Sequence, residues 1–212
     1  MKNLFKIAMT ICLVFISLIK INAQKKGNME NTALLIIDVQ NDYFKGVNME
    51  LVGYEAAGKN TKQLLEYFRA KNLPVIHIKH IATQEGATFF LPNTSGAEIN
   101  SVVAPKEGEK IITKNYPNSF RETELLSYLQ SKGIKNLVIT EMMTDVCVDA
   151  TVRAAMDLGF SNTVIGDAVA TRDRELYGKT VTASDINRSY LAGMTALGNL
   201  YAKVVTTKEF LK

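Results

Sequence analysis

The stretch from Val138 to Ala155 constrains the fold most, because a buried strand passes there directly into an amphipathic helix. The apolar run 137–139 is typical of a strand that is covered on both faces. Beyond it, Val148, Val152 and Ala155 recur at helical spacing. A strand followed at once by a helix is the repeating unit of proteins with a parallel sheet, so this stretch predicts an α/β fold.

The same alternation continues along the chain. Largely apolar segments predict five further strands, at residues 32–38, 74–80, 109–114, 163–166 and 202–206. Periodic segments predict helices at residues 53–71, 123–132 and 184–199. We therefore expect one α/β domain over residues 32–212, with a doubly wound, mostly parallel six-stranded sheet and helices on both faces (a Rossmann-like arrangement).

The first 23 residues have the composition of a signal peptide. Residues 1–6 are basic, the run 7–19 is apolar, and Ala23 is a small residue suited to cleavage. The run is shorter than the roughly 20 apolar residues of a spanning helix, although a retained anchor is the alternative. We expect export to the periplasm or the medium, no stable membrane association after cleavage, and a short linker at 24–31.

Removal of that segment changes the charge and the cysteine count. It carries three lysines and no acidic residue, so its loss lowers the formal net charge from +4 to +1. The charge therefore gives no reason to expect a nucleic acid partner. Cys12 is lost as well, which leaves Cys147 unpaired. In an oxidising compartment, such a cysteine is either buried in the core or kept for its reactivity.

Three chemically distinct residues follow predicted strands. Asp38 ends the first strand, Lys114 ends the strand at 109–114, and Cys147 lies about one turn into the helix after residues 137–139. In a parallel sheet, ligands bind beyond the carboxyl ends of the strands, so these side chains meet at one edge. Singly, they are explained equally well as a turn residue, a solvated lysine and a buried small hydrophobe. Together they favour a catalytic cysteine.

Each residue type has a role in nucleophilic chemistry. A thiol near a helix start and beside an ammonium group has a pKa below its ordinary value of about 8.5, which we therefore predict for Cys147. The Asp38 carboxylate can take the thiol proton, and Lys114 balances the negative charge. Backbone amides at the helix start can hold the oxyanion that forms when a thiolate attacks a carbonyl.

Three motifs together resemble the isochorismatase-like cysteine hydrolase superfamily. They are Leu34–Phe44 (LLIIDVQNDYF), Ile111–Lys114 with Asn118–Phe120 (IITK and NSF), and Met142–Val148 (MMTDVCV). The similarity extends from about residue 32 to the C-terminus.

The resemblance implies a mechanism and a set of roles. Cys147 would be the nucleophile, Asp38 the general base and acid, and Lys114 their electrostatic partner. The amides of Met143 and Cys147 would form the oxyanion hole, next to a cis peptide between Met142 and Met143. The implied reaction cleaves an amide-type C–N bond of a small molecule through a thioester, without a cofactor, and the implied assembly is a homo-oligomer.

Two departures from the family pattern matter. The family usually has glycine where this chain has Glu141, which brings a charge close to the site unless the loop turns it outward. Relatives that resemble nicotinamidases bind a metal through an Asp-x-His cluster after the first strand, whereas this chain has only His77 and His80. Because the two lie three apart on a strand, they point to opposite faces, and we predict no metal.

Two other functions and the identity of the pocket residues stay open at this point. Vinyl-ether hydrolases of the isochorismatase kind do not use the cysteine, and a redox-sensing relative would need only an oxidisable thiol. Specificity would come from the irregular stretches at 84–106 and 170–182. Phe44, His80 and Tyr116 are the candidate pocket residues, with Phe89 and Phe90 as further apolar walls.

Overall fold

The computed structural model describes residues 29–46 and 49–212, of which Asn31–Lys212 form one unit. The signal-peptide prediction at 1–23 and most of the linker at 24–31 lie outside the described residues. None of the described helices is long and apolar enough to cross a membrane. In chain order the elements are β1 (Thr32–Ile37), α1 (Tyr54–Ala70), β2 (Val75–His80), β3 (Lys110–Lys114), α2 (Leu125–Ser131), β4 (Asn136–Met142), α3 (Asp149–Asp157), β5 (Ser161–Ala170), β6 (Arg174–Leu176), β7 (Lys179–Val181), α4 (Ala183–Met194), α5 (Ala196–Asn199), β8 (Lys203–Val205) and α6 (Thr207–Phe210).

Six strands form one sheet in the order β3-β2-β1-β4-β5-β8, and every neighbouring pair is parallel. This confirms the predicted doubly wound sheet. Connections run outward from β1 in one direction through β2 and β3, and from β4 in the other through β5 and β8. The strand order therefore reverses between β1 and β4, and the carboxyl ends of these two central strands flank the crevice where such folds bind ligands.

Alternating side chains of β1 explain why helices cover both faces. Ala33, Leu35 and Ile37 belong to a buried cluster that includes Leu129 of α2 and Val152 of α3. Their neighbours Leu34 and Ile36 point to the opposite face, because successive strand residues alternate. That face is covered by α1, which contacts β1, β2 and β5 and buries its apolar side chains, Ala57, Leu64, Leu65 and Phe68.

The structure corrects the sequence prediction after residue 160. The last long helix ends at Met194 rather than at 199, because Leu197, Gly198 and Asn199 adopt positive φ angles. Residues 174–181, predicted to be irregular, form the antiparallel hairpin β6–β7. Its turn places Tyr177 and Gly178 at φ 52° and 69°, as hairpins with two-residue turns require.

Two polar side chains after β1 fix the long loop between β2 and β3. Gln40 donates from Nε2 to the carbonyl oxygens of His80 (2.9 Å) and Ala97 (2.7 Å). The Asp42 carboxylate accepts a hydrogen bond of 2.6 Å from the amide of Phe90. The bonds to Ala97 and Phe90 attach the loop to the edge of the sheet that carries the candidate site.

The position of the Asp42 carboxylate, which holds the loop through Phe90, requires glycine at position 96. A Cβ atom at position 96 would lie 2.0 Å from Oδ1 of Asp42, far inside van der Waals contact. We predict that Gly96→Ala displaces the Asp42 carboxylate and destabilises the protein by about 1–3 kcal/mol in urea unfolding. Gly193→Ala in α4 is the matched control, because a Cβ there meets no atom within 4 Å. Equal unfolding midpoints for Gly96→Ala and the wild type would contradict this role.

Candidate active site

A buried ion pair lies at the centre of the site. Nζ of Lys114, at the end of β3, lies 2.8 Å from Oδ2 of Asp38, directly after β1, and both side chains are 0% exposed. Lys114 also donates to the carbonyl oxygen of Pro117 at 2.9 Å. Asp38 has a left-handed φ of 55°, a conformation that aspartate tolerates better than most residues. The two predicted strand-end residues therefore meet.

The thiol of Cys147 lies beside this pair. Cys147 is 2% exposed and is the single cysteine of the described chain. Its Sγ, a carboxylate oxygen of Asp38 and a ring nitrogen of His80 lie within 4.8 Å of one another. The structure thus brings together Asp38, Lys114 and Cys147, as the positions of these residues in the sequence predict.

Asp38 and Lys114 stabilise each other's charged form. Burial alone would raise the pKa of Asp38, but Lys114 and His80 hold that pKa below its ordinary value. Burial would lower the pKa of Lys114, yet Asp38 keeps it above the ordinary value. Asp38 and Lys114 are therefore a charged pair in the resting protein.

The predicted low pKa of Cys147 is wrong in direction. Burial raises the pKa of the thiol well above its ordinary value, and the neighbouring Asp38 carboxylate raises it further, against the opposing charge of Lys114. Because Lys114 is already paired with Asp38, its charge does not compensate for the lost solvation of a thiolate. The resting protein holds a neutral thiol beside a carboxylate that can accept its proton.

Cys147 lies on a tight turn after β4. Residues Thr144–Val148 form one π-helical turn that leads into α3, and the preceding Met142–Met143 peptide is cis, as the family resemblance implies. Asp145 in this turn accepts hydrogen bonds from Thr171 and from Arg174 of β6, whose Nη2 lies 2.9 Å from Oδ2 of Asp145. The hairpin that the sequence did not predict therefore contacts the turn that carries Cys147.

A cavity of about 530 Å³ opens onto Cys147. Of the predicted pocket residues, His80 and Tyr116 line it, as does Phe89. Phe44 does not, which corrects the prediction: its ring packs against Tyr54 at a centroid distance of 5.2 Å. Two further lining residues were predicted in other roles: Met143 for the oxyanion hole, and Gln84 as part of the stretch 84–106. The lining residues that were not predicted come mainly from the ends of strands and from turns: Tyr43, Ala82, Thr83, Asn115, Pro117 and Val146.

Tyr43, and not the predicted Phe44, lines the cavity because of the local backbone conformation. Residues Asn41–Tyr43 form a 3₁₀ turn that buries Tyr43. Its ring packs 4.7 Å from that of Phe90. The next side chain, that of Phe44, points away toward α1. Which of these two adjacent aromatic residues faces the cavity could not be predicted from the sequence.

The two histidines lie in separate environments. His80 places Nδ1 at 3.8 Å from Oδ2 of Asp38, inside the site. His77 places Nε2 at 3.0 Å from Oε2 of Glu109, outside it. Although Asp38, His80 and Cys147 could each offer a ligand atom to a metal, the Lys114 ammonium already lies 2.8 Å from Oδ2 of Asp38 and balances the charge of that carboxylate. We therefore do not identify them as metal ligands.

Comparison with known proteins places this site in a family. The model of the Isochorismatase domain matches residues 32–196. YddQ of Bacillus subtilis (strain 168), an isochorismatase family protein, is 45% identical over 181 residues, which are 85% of this chain and 99% of YddQ. The secreted isochorismatase effector Isc1 of Verticillium dahliae is 35% identical over 183 residues, 86% of this chain and 92% of Isc1.

A solved structure of an isochorismatase-type protein is also similar to this chain. An isochorismatase-type hydrolase from Oleispira antarctica has a TM-score of 0.81 at 44% identity, and the match covers 86% of this chain and 96% of that one. The chain belongs to the isochorismatase family of hydrolases.

The neutral thiol leads to a prediction for alkylation. We expect the rate of Cys147 alkylation by iodoacetamide to rise with pH through an inflection above about 8.5, the ordinary thiol value. Asp38→Asn removes the adjacent negative charge, so its inflection should move down by about one pH unit or more. Asp149→Asn is the control, since Asp149 pairs with Arg153 within α3. A wild-type inflection below about 8.5 would contradict the raised pKa of the thiol.

Proposed function

We propose that the protein is a cysteine hydrolase that cleaves a C–N bond of a small, neutral, amide-type substrate through a thioester acyl-enzyme. The observation that carries this proposal is the fully buried Asp38–Lys114 ion pair beside the Cys147 thiol. A buried charge pair is not an efficient way to stabilise a fold, because desolvation offsets most of its attraction. It is an efficient way to hold a carboxylate ionised next to a thiol.

The first half of the reaction forms the acyl-enzyme. Asp38 takes the proton of Cys147 as Sγ attacks the substrate carbonyl carbon, and the carbonyl electron pair moves onto oxygen. The amides of Met143 and Cys147 would hold that oxyanion. The intermediate then collapses: the C–N bond breaks, Asp38 returns its proton to the leaving nitrogen, and ammonia or an amine departs. Lys114 keeps its charge throughout and balances whichever group is anionic.

The second half releases the acid. Asp38, ionised again, takes a proton from a water molecule that attacks the thioester carbonyl. The C–S bond then breaks, and the thiolate recovers the proton from Asp38. One carboxyl group thus serves as base and acid in both halves, which requires a carboxylate that is ionised in the resting protein and a thiol that is neutral.

The cavity supports a neutral substrate. Among the described residues, its lining contains no lysine or arginine, and its walls combine aromatic rings with polar side chains. Arg121 stacks on the ring of Tyr116 at 3.6 Å from its centroid and is not part of the lining. Lys114 is paired with Asp38 and lies outside this lining. A carboxylate substituent on the substrate would therefore be desolvated without a cationic partner.

Vinyl-ether hydrolysis of the isochorismatase kind is the second candidate, and the name of the relative Isc1 favours it. Isochorismate is a dicarboxylate, however, and the absence of cationic residues from the described lining argues against it. A redox sensor is a third possibility, but a sensor has no use for Asp38 and Lys114 converging on its thiol. Amide hydrolysis uses all three residues.

A substrate screen with triad variants tests the proposal. Small amides, ureas and carbamoyl compounds are assayed for ammonia release by the wild type, Cys147→Ala, Asp38→Asn and Lys114→Gln. Each variant should lose about 10²-fold or more in turnover, and Asp38→Asn/Cys147→Ala should be hardly slower than Cys147→Ala alone, because the residues act as a unit. A Cys147→Ala variant that released ammonia at the wild-type rate would contradict the thioester mechanism.

Stability must be measured alongside turnover. Removal of one member of a buried ion pair can cost about 3–5 kcal/mol of folding free energy. The neutral double variant Asp38→Asn/Lys114→Gln removes both charges and serves as the folding control. A well-folded Asp38→Asn with wild-type turnover would contradict the assignment of the base.

A further inference from the structure

Glu141 is a buried carboxyl group that the mechanism above does not use. It lies near the end of β4, one residue before the cis peptide, and is 0% exposed. Neither of its carboxyl oxygens has a hydrogen-bond partner among the described residues. An ionised carboxylate in that position would lose its solvation without compensation, so the side chain needs a physical explanation.

The strand register places Glu141 on the face of the sheet that carries the site. Glu141 is aligned with Ile37 of β1, which is aligned with Ile78 of β2. Aligned residues on neighbouring strands point to the same face, and so do residues two apart on one strand. His80 and its partner Lys114 therefore share the face of Glu141. Sequence reasoning left open whether this side chain turns outward, and the structure places it inside.

The charges around Glu141 come from every neighbouring element of the site. Lys114 on β3 lowers the pKa of Glu141, and Asp38 after β1 raises it. The charge of Glu141 in turn raises the pKa of Cys147 in the π-helical turn and of Tyr43 in the 3₁₀ turn. His80 lowers the pKa of Asp38. Arg174 lowers the pKa of Tyr43 and is paired with Asp145.

We propose that Glu141 carries its proton throughout turnover and so leaves Asp38 as the only carboxylate beside Lys114. Two carboxylates cannot both be balanced by one ammonium group in a site closed to solvent, and Lys114 lies 2.8 Å from Asp38. Burial and the Asp38 charge raise the pKa of Glu141 well above its ordinary value, against the attraction of Lys114. Glu141 is thus a positioning residue: it acts through the charge of the site.

This arrangement has a consequence for the reaction, which rests on the proposed function. If Glu141 ionised, a second negative charge would oppose loss of the Cys147 proton and compete with Asp38 for Lys114. Turnover should therefore fall as the pH rises through the pKa of Glu141 in the folded protein. In Glu141→Gln, which cannot ionise, that fall should be absent.

The protonation itself can be tested without a substrate. Glutamate in an unfolded chain ionises near pH 4.3, so unfolding releases the Glu141 proton at higher pH. The ratio of the unfolding constants of wild type and Glu141→Gln, from urea titrations at pH 5 to 8, should rise by up to about tenfold for each pH unit, until the folded pKa is reached. A ratio that is constant over this range would overturn the proposal.

Glu109 is a matched control, because its pKa is lowered where that of Glu141 is raised. Burial would raise its pKa, but hydrogen bonds from Arg69, the amide of Lys106 and His77 hold that pKa at about 2. Glu109 is therefore ionised in folded and unfolded chains above pH 5. His77, which contacts Glu109, has a pKa below its ordinary value of 6.5 and is therefore largely neutral above pH 7. The corresponding ratio for Glu109→Gln should thus be constant from pH 7 to 8.

A second measurement uses the wild type alone and does not depend on folding of the variant. With ¹³C-labelled glutamate carboxyl groups, the infrared spectrum at pH 7 should contain the carbonyl stretch of one protonated carboxylic acid. Absence of this band would overturn the proposal. Presence of the band together with identical pH profiles of turnover for wild type and Glu141→Gln would overturn its catalytic consequence. Failure of the proposed amide hydrolysis would leave the unfolding and infrared results unchanged.

Discussion

The ion pair between Asp38 and Lys114 is the interaction on which the rest of the site depends. The two charges lie 2.8 Å apart with both side chains fully buried. Such a pair persists only when its geometry is good and the remaining donors are satisfied, as the Lys114 bond to Pro117 shows. The fold provides this geometry because Asp38 and Lys114 end two strands of one parallel sheet, with β2 between them. Cys147 then follows the adjacent central strand β4, at the point where the strand order reverses.

The pair also determines the protonation of its neighbours. One ammonium group balances one carboxylate, so further anions nearby are unfavourable. Burial and Asp38 together keep the Cys147 thiol and the Glu141 carboxyl neutral. In the proposed reaction, the thiol proton would therefore pass to Asp38 as attack proceeds. A thiolate formed in advance, which a helix start alone would favour, is not part of this arrangement.

The positions of the catalytic candidates could be predicted from the sequence, but the protonation state of the Cys147 thiol could not. Asp38, Lys114 and Cys147 each follow a recognisable strand, so the topology alone brings them together. The direction of the thiol pKa depends on which partner Lys114 contacts, and that contact lies between strands far apart in the sequence. Likewise, the choice of Tyr43 over Phe44 depends on a 3₁₀ turn. The hairpin at 174–181 was missed because three-residue strands are too short for a periodic signal.

In the proposed reaction, Asp38 passes the Cys147 proton to the leaving group while a thioester forms. This thioester can be trapped by rapid acid quench during turnover of an amide that releases ammonia, followed by mass spectrometry. We expect an acyl adduct on the peptide that contains Cys147. This adduct should form more slowly in Asp38→Asn. Turnover without any adduct, together with an active Cys147→Ala variant, would contradict the proposed reaction.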